Sequence, residues 1–390
     1  MPALIRLPGR DGPLVIPPPR WAAGYPPPAC RKVFAAAHVA ATAAAGAVSG
    51  VPVIDWESTM RFREHLWAHG FGVAEAMDTA QRGMGPSGLS WEQARELIAR
   101  TAARAAGAGR LDALACGAGT DQLAGASPHP LPAIIGAYAE QVAFVQATGA
   151  QVILMASRAL AASARGPRDY LEVYGELIKQ AERPVILHWL GEVFDPALAG
   201  YWGGGFDDAA ATVLELIERS GGQVDGVKLS ILDEGRELWL RRRLPAGVRL
   251  YTGDDFNSAS LIRGEADGTH SDALLGAFAA ITAPAAAALA ALDRGDLAGY
   301  DAAMEPTVPL SRAIFEPPTY HYKAGVAFLA WLNGLQPQFV MLGGLERARS
   351  AGHLIRVYEL AAAAGALTEP ELAAERAGEM LARSAHAGPV

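Results

Sequence analysis

Two hydrophobic patterns alternate along most of the chain. Short, nearly continuous apolar runs are typical of parallel strands buried on both faces, and longer segments with apolar residues at helical spacing follow them. Eight apolar runs predict strands at residues 33–39, 72–79, 111–119, 151–156, 184–190, 224–231, 248–252 and 268–275. The segments after them predict helices at residues 55–69, 91–106, 131–148, 169–181, 207–219, 233–242, 258–263 and 277–292.

Strands that alternate with helices indicate a parallel sheet. Eight strand–helix units between residues 31 and 295 favour a closed (β/α)8 TIM barrel over an open doubly wound sheet. No Gly-x-Gly-x-x-Gly loop follows the first strand, which weakens a dinucleotide-binding Rossmann interpretation. We therefore predict an α/β protein whose barrel occupies residues 31–295.

The two ends of the chain lack this alternation. Residues 1–30 carry two proline triplets, and because proline disrupts helices and sheets, we predict an extended N-terminal arm that Trp21 and Tyr25 hold to the body of the protein. Beyond residue 296 the strand pattern stops. A helical C-terminal domain is therefore predicted over residues 296–390, with helices at residues 297–304, 310–314, 322–335, 345–364 and 369–384.

Composition narrows the class of protein. The net charge of −8 argues against nucleic acid as a partner, since phosphate binding needs a basic surface. The two cysteines, Cys30 and Cys116, are too few for a disulfide framework and fit a reducing cytoplasm. The first residues form no apolar signal core. We expect a cytoplasmic protein that neither spans nor binds a membrane.

The predicted sixth strand carries a single lysine, Lys228. An amine in a buried strand costs free energy unless it is paired or neutralised, and desolvation lowers the pKa of a lysine, which leaves a nucleophilic amine available near neutral pH. The hypothesis is that Lys228 forms a Schiff base with a carbonyl substrate. The alternative is a structural lysine at a strand end that points into solvent or pairs with Asp225 or Asp233.

Catalytic groups of such barrels lie at the carboxyl ends of the strands. His188, on the predicted fifth strand, lies beside Lys228 if the inner faces of both strands point at the barrel axis. An imidazole there suits proton transfer around a carbinolamine; alternatively, it is a core histidine bonded to a backbone carbonyl. Glu75, at the end of the second strand, is predicted to be an ion-pair partner of Lys228, a proton carrier or a metal ligand.

Further polar residues at the ends of predicted strands or in the loops after them are candidate substrate ligands. They are Thr79, Asp121, Arg158, Ser230, Asp254, Asp255 and His270. Asp254 and Asp255 could instead be a helix cap and an exposed acid. Arg158, like Arg82, could bind a carboxylate or a phosphate, or be a surface charge.

Four segments carry a resemblance to a known family. Pro-Val-Ile-Leu-His-Trp-Leu-Gly around His188, followed after a helix by Val-Asp-Gly-Val-Lys-Leu-Ser around Lys228, resembles the fifth and sixth strands of the dihydrodipicolinate synthase / N-acetylneuraminate lyase superfamily. Leu-Tyr-Thr-Gly-Asp-Asp at residues 250–255 resembles its seventh strand, and residues 322–334 resemble its helix beyond the barrel. The sequence is most similar to a divergent branch known as a domain of unknown function.

The resemblance implies a (β/α)8 barrel with a helical C-terminal domain, often in homodimers or homotetramers. It implies class I aldolase or lyase chemistry, with Lys228 as the imine-forming residue and no cofactor. The sequence departs from the family at His188, where the family has a catalytic tyrosine. It also departs at the Gly-Thr-Thr-Gly-Glu motif with which the family holds the keto acid's carboxylate. In this sequence only Thr79 is a counterpart of a residue of that motif. These departures favour a polyhydroxylated keto-sugar or keto-acid over pyruvate.

Three functions follow from these residues. The leading hypothesis is a Schiff-base aldolase or dehydratase, a lyase of carbohydrate metabolism that acts on a small carbonyl substrate. The second is a metal-dependent sugar aldolase or isomerase, in which a divalent metal would have N and O ligands from His38, Glu75, Asp121, His188 and His270, although no His-x-His or Glu-x-x-His cluster supports it. The third is a barrel that binds a ligand without turning it over.

Overall fold

A computed structural model describes residues 3–7, 11–43, 52–123 and 127–386. The predicted arm (residues 1–30) and C-terminal domain (residues 296–390) fall partly outside these ranges. The chain divides into two compact units. The barrel unit comprises Arg31–Ala37 and Gly72–Leu275, and the helical unit comprises Met1–Cys30, His38–Phe71 and Gly276–Val390.

The described residues form twelve strands and fourteen α-helices. The strands are β1 (Ala3–Ile5), β2 (Leu14–Ile16), β3 (Val33–Ala36), β4 (Ala41–Ala43), β5 (Pro52–Ile54), β6 (Gly72–Glu75), β7 (Leu114–Ala118), β8 (Gln151–Leu154), β9 (Val185–Leu190), β10 (Val224–Ser230), β11 (Arg249–Thr252) and β12 (Asp272–Leu275). The helices are α1 (Trp56–Ala68), α2 (Trp91–Gly107), α3 (Leu131–Ala147), α4 (Arg158–Ser163), α5 (Pro167–Lys179), α6 (Phe206–Arg219), α7 (Glu234–Arg241), α8 (Ser258–Arg263), α9 (Thr282–Asp293), α10 (Leu297–Met304), α11 (Val308–Ile314), α12 (Tyr322–Leu332), α13 (Ala351–Ala364) and α14 (Pro370–His386).

The eight strands of the barrel unit are parallel and close into one barrel in the order β3-β6-β7-β8-β9-β10-β11-β12. All eight predicted strands are present, and the closed barrel confirms the predicted (β/α)8 fold with its C-terminal helices. Local signals start the helices where the sequence places them. Ser90 and Gln93 form a reciprocal capping box at the start of α2, and the Asp233 side chain caps α7.

The predicted eighth strand is too long at its amino end. Residues 268–271 do not belong to it, because the chain turns there: the amide of Glu265 donates to the carbonyl of Thr269 at 2.8 Å, and Gly268 has a φ of +85°. Strand β12 begins only at Asp272. The turn therefore lies at the amino end of the barrel strands.

The inside of the barrel is filled by apolar side chains from most of its strands. They form one cluster, which consists of Phe34, Ala36, Ala74, Met77, Ala115, Ile153, Met155, Ile186, Tyr251 and Leu274. Because side chains alternate between the two faces of a strand, this cluster shows which face of each strand points at the axis. On β10 that face includes Gly226, since a Cβ there would lie 2.7 Å from Cε2 of Tyr251.

The helical unit contains α1 and α9–α14, together with two antiparallel hairpins, β1–β2 and β4–β5. The first hairpin lies within the predicted N-terminal arm, which therefore is not extended throughout. The prediction that Trp21 holds the arm is supported by the bond from its Nε1 to the Gly365 carbonyl at 3.0 Å. No helix of the described residues is long and apolar enough to cross a membrane.

Candidate functional site

Lys228 lies on the inner face of β10, two residues after Gly226. Its register partners are His188 on β9 and Tyr251 on β11. The side chain is only 5% exposed. Burial lowers the pKa of the amine, whereas the nearby carboxylates of Asp78 and Asp255 raise it. Among the described residues, none forms a hydrogen bond or an ion pair with Nζ, so these charges act on the amine through space.

His188 lies beside this amine. It shares a strand face with Ile186, which belongs to the barrel interior, and the ring is fully buried. Nε2 lies 3.4 Å from Oγ of Ser230, while Nδ1 finds no hydrogen-bond partner among the described residues. Burial lowers the pKa of His188 well below its usual value; the charge of Lys228 lowers it further, and Asp78 acts in the opposite direction. The imidazole is therefore neutral near pH 7.

The two carboxylates that act on Lys228 come from different sides of the barrel. Asp255 follows β11, the strand next to β10, and is 4% exposed. Asp78 lies in a single 3₁₀ turn after β6, four strands away from β10 around the barrel. The buried candidate ligand Thr79 lies in the same turn. Sequence reasoning placed Asp78 at a strand end but gave it no role; its signal was an acidic residue directly after a buried strand.

Glu75 does not face Lys228. Its Oε2 accepts a hydrogen bond from Oγ1 of Thr101 on α2 at 2.6 Å, and its Oε1 accepts one from the Ala76 amide at 2.8 Å. The prediction that Glu75 is an ion-pair partner of Lys228 is wrong, because Ala76 has a φ of +52° and interrupts the side-chain alternation at the end of β6. Ala74 and Met77 point into the barrel, and the Glu75 carboxylate lies on the helix side.

Asp254 and Asp255 have different environments. Asp254 accepts hydrogen bonds from the amides of Phe256 and Asn257 at 2.9 and 3.0 Å, and burial raises its pKa. Asp254 therefore caps the turn before α8, which agrees with the alternative that it is a helix cap. Asp255 is buried and is not the exposed acid of that alternative. Gly253 is needed just before them, because a Cβ there would lie 2.8 Å from the Leu229 carbonyl oxygen and collide with Ser230.

The two candidate arginines are both ion-paired with aspartates. Arg82 is completely buried; its Nε donates to Asp121 at 2.6 Å, and its Nη1 donates to the Gly117 carbonyl at 2.5 Å. Arg158 donates to Asp195 at 2.6 Å with a side chain that is 42% exposed. Asp121 is thus a partner of Arg82, and Arg158 lies on the outer rim.

His270 is exposed in the turn before β12, where its Nδ1 lies 3.1 Å from the Gly268 carbonyl. Its predicted place at the mouth is wrong, because this turn is at the amino end of the barrel strands. The predicted metal ligands are therefore not brought together. His270 lies at the amino end of the strands, Glu75 bonds to Thr101, and Asp121 pairs with Arg82. No group of three or more potential metal ligands occurs within the described parts of the chain.

The sequence matches the family model described as "Protein of unknown function (DUF993)" over residues 6–385. The chain belongs to this family. No protein with a curated description matches it. This match confirms the predicted recognition as a branch known as a domain of unknown function.

Several solved structures are similar over almost their whole length. The dihydrodipicolinate synthase of Oceanobacillus iheyensis matches with a TM-score of 0.59 and 16% identity, covering 85% of this chain and 95% of that one. The enzyme of the same name from Aquifex aeolicus gives 0.61 and 14%, covering 85% and 97%. The 4-hydroxy-tetrahydrodipicolinate synthase of Methylacidiphilum fumariolicum SolV gives 0.61 and 16%, covering 91% and 98%. At these identities the likeness shows the fold.

Proposed function

We propose that this protein is a lyase of the class I aldolase type, which forms a Schiff base between Lys228 and the carbonyl carbon of a keto-sugar or keto-acid. The observation that carries the proposal is a 5%-exposed amine on the inner face of β10, beside a neutral imidazole. Burial lowers the pKa of this amine, which increases the nucleophilic fraction near neutral pH. The fold shared with dihydrodipicolinate synthases adds support by analogy.

The chemistry starts with the unprotonated amine of Lys228. Its nitrogen bonds to the carbonyl carbon and gives up a proton, while the carbonyl oxygen takes one up, which gives a carbinolamine. Loss of this oxygen as water, with a second proton, leaves a protonated imine. In an aldol cleavage the imine accepts the electron pair of the broken carbon–carbon bond and becomes an enamine, while the other fragment leaves as a carbonyl compound after its hydroxyl gives up a proton. A proton then adds to the enamine carbon, and hydrolysis of the restored imine returns the free lysine.

His188 is the proposed proton carrier. Because it is neutral, its free ring nitrogen accepts a proton during attack and returns it to the departing water. Ser230, 3.4 Å from Nε2, orients the ring. Asp78 and Asp255 are the carboxylates nearest to the charge that develops on the imine nitrogen.

Reductive trapping tests the proposal directly. The chain has four lysines, Lys32, Lys179, Lys228 and Lys323, so peptide mapping locates any adduct without ambiguity. With sodium cyanoborohydride and dihydroxyacetone or pyruvate as probes, we expect the adduct to form first on Lys228. The Lys228→Met variant should lose it, and the Lys179→Met variant, which changes an exposed lysine of α5, should keep it. Labelling that is no faster at Lys228 than at Lys179 would refute imine formation.

We also propose that the protein assembles as a homodimer or homotetramer, as the family resemblance implies. Light scattering coupled to gel filtration gives the mass directly, and a value equal to that of one 40.8 kDa chain would contradict this.

A further inference from the structure

The charges around Lys228 bear on the kind of carbonyl that can bind there. The two charged side chains that raise the pKa of the amine, Asp78 and Asp255, are both acidic. They follow strands on different sides of the barrel, β6 and β11, and so approach the amine from two directions. Lys228 as a whole is 95% buried, and its amine forms no hydrogen bond within the described residues. A substrate that reaches Nζ therefore enters a negatively charged environment.

The two arginines with positions suited to neutralising an anionic substrate are already engaged. Arg82 is fully buried and donates to Asp121, to Gln141 and to the carbonyls of Ala76 and Gly117. Arg82 could reach a substrate only if several of these hydrogen bonds broke. Arg158 is held by Asp195 on the rim. Recognition of a carboxylate normally uses an arginine or several N–H and O–H donors.

Two thioethers form part of the barrel wall at the ends of β6, β7 and β8. Met77 and Met155 are buried in the interior cluster, and Gly117 lets both approach, since a Cβ there would lie 2.5 Å from Sδ of Met155 and 3.1 Å from that of Met77. A thioether sulfur is a weak acceptor and donates no hydrogen bond. These two side chains thus add no donor for a carboxylate.

We infer that the Lys228 site takes an uncharged, hydroxylated ketone or aldehyde and discriminates against substrates with a carboxylate next to the carbonyl. The inference rests on the proposed function and narrows it from keto-sugars and keto-acids to keto-sugars and related polyols. Asp78 and Asp255 are the specificity determinants. They accept hydrogen bonds from hydroxyl groups and repel a carboxylate bound to the carbon that Lys228 attacks.

Two matched probes separate these cases. Dihydroxyacetone and hydroxypyruvate both carry a hydroxymethyl group on the reacting ketone, but only hydroxypyruvate carries a carboxylate. Each is trapped with cyanoborohydride, and the rate at Lys228 is divided by the rate at exposed Lys179 of the same sample, which removes the intrinsic reactivity of the probe. We expect a normalised preference for dihydroxyacetone of about tenfold or more, because a like charge at close range in a partly desolvated site costs at least that factor.

Variants then assign the preference to the two carboxylates. In Asp78→Asn and in Asp255→Asn the preference should fall at least threefold, whereas Glu96→Gln, which changes an exposed carboxylate of α2, should leave it unchanged. Circular dichroism confirms that each variant is folded. If Lys228 is labelled faster by hydroxypyruvate, or if neither aspartate variant changes the ratio, the inference is wrong and imine formation stands. If neither probe labels Lys228 above the rate at Lys179, the proposed function itself fails.

Discussion

The neutral state of His188 makes a quantitative prediction about acid stability. In the unfolded chain the ring titrates near its ordinary pKa of 6.5, whereas burial lowers the pKa of the folded ring well below that value. Below pH 6.5 the unfolded state therefore takes up a proton that the folded state does not. Stability is lost as pH falls from 6.5 towards the folded pKa, at about 1.4 kcal/mol per pH unit for this one group.

Replacing His188 by glutamine removes this loss. Between about pH 7.5 and about pH 5, a histidine that protonates only in the unfolded state costs about 2 kcal/mol. Urea denaturation at intervals across this range gives the unfolding free energy of both proteins. The variant should lose about 2 kcal/mol less than the wild type. Other buried groups, such as His38 and His65 with their pKa values lowered to about 4, contribute equally to both proteins and cancel in the difference.

The matched control is His270→Gln, which removes an imidazole from an exposed turn. Because this substitution leaves the barrel interior unchanged, we expect the control to lose as much stability as the wild type between about pH 7.5 and about pH 5. If His188→Gln also follows the wild type, the folded ring takes up a proton as readily as the unfolded one. The inference that burial keeps the His188 ring neutral below pH 6.5 would then be refuted.

Three further substitutions test other contacts of the barrel in urea denaturation. Gly253→Ala forces a Cβ against a backbone carbonyl and should lower the unfolding free energy by about 1–3 kcal/mol. In the control Gly175→Ala, on α5, the Cβ meets no atom within 4 Å and should raise it by about 0.5–1 kcal/mol. Equal effects of the two substitutions would contradict the crowding after β11. Arg82→Met leaves a carboxylate and two carbonyls without their donor and should cost about 3–5 kcal/mol, so a neutral effect would show that the arginine is not structural. Thr101→Val removes a donor to Glu75 and should cost about 1–3 kcal/mol, while a loss of lysine trapping in the folded variant would place Glu75 in the site.

The barrel was predictable because its strands are buried on both faces. Such strands appear as continuous apolar runs, so eight of them could be counted, and period-two alternation along β9 and β10 placed His188 next to Lys228. The arrangement of the amine and the imidazole thus follows from local pattern plus the closure of the sheet. Neither the count of apolar runs nor the alternation along a strand depends on a tertiary contact.

The errors arise where this alternation is interrupted. Glu75 was assigned to the inner face, but the positive φ of Ala76 reverses the alternation after β6, and nothing about alanine predicts that conformation. His270 was placed at the wrong end of the barrel because a turn was counted as strand; here Gly264 and Gly268, both with positive φ, were a usable signal. The pairing of Arg82 with Asp121 is a tertiary contact that no sequence spacing reveals.

The environment of Lys228 combines two opposing effects, and in the proposed reaction both are useful. Burial disfavours the protonated amine and keeps a nucleophilic fraction, whereas Asp78 and Asp255 favour a positive charge at the same nitrogen. The free amine gains nothing from these carboxylates, but the protonated imine carries a positive charge until it accepts the electron pair of the breaking bond. The aspartates therefore stabilise the intermediate more than the reacting amine, which lowers the barrier to its formation. The same two charges then serve catalysis and select against a carboxylate on the substrate.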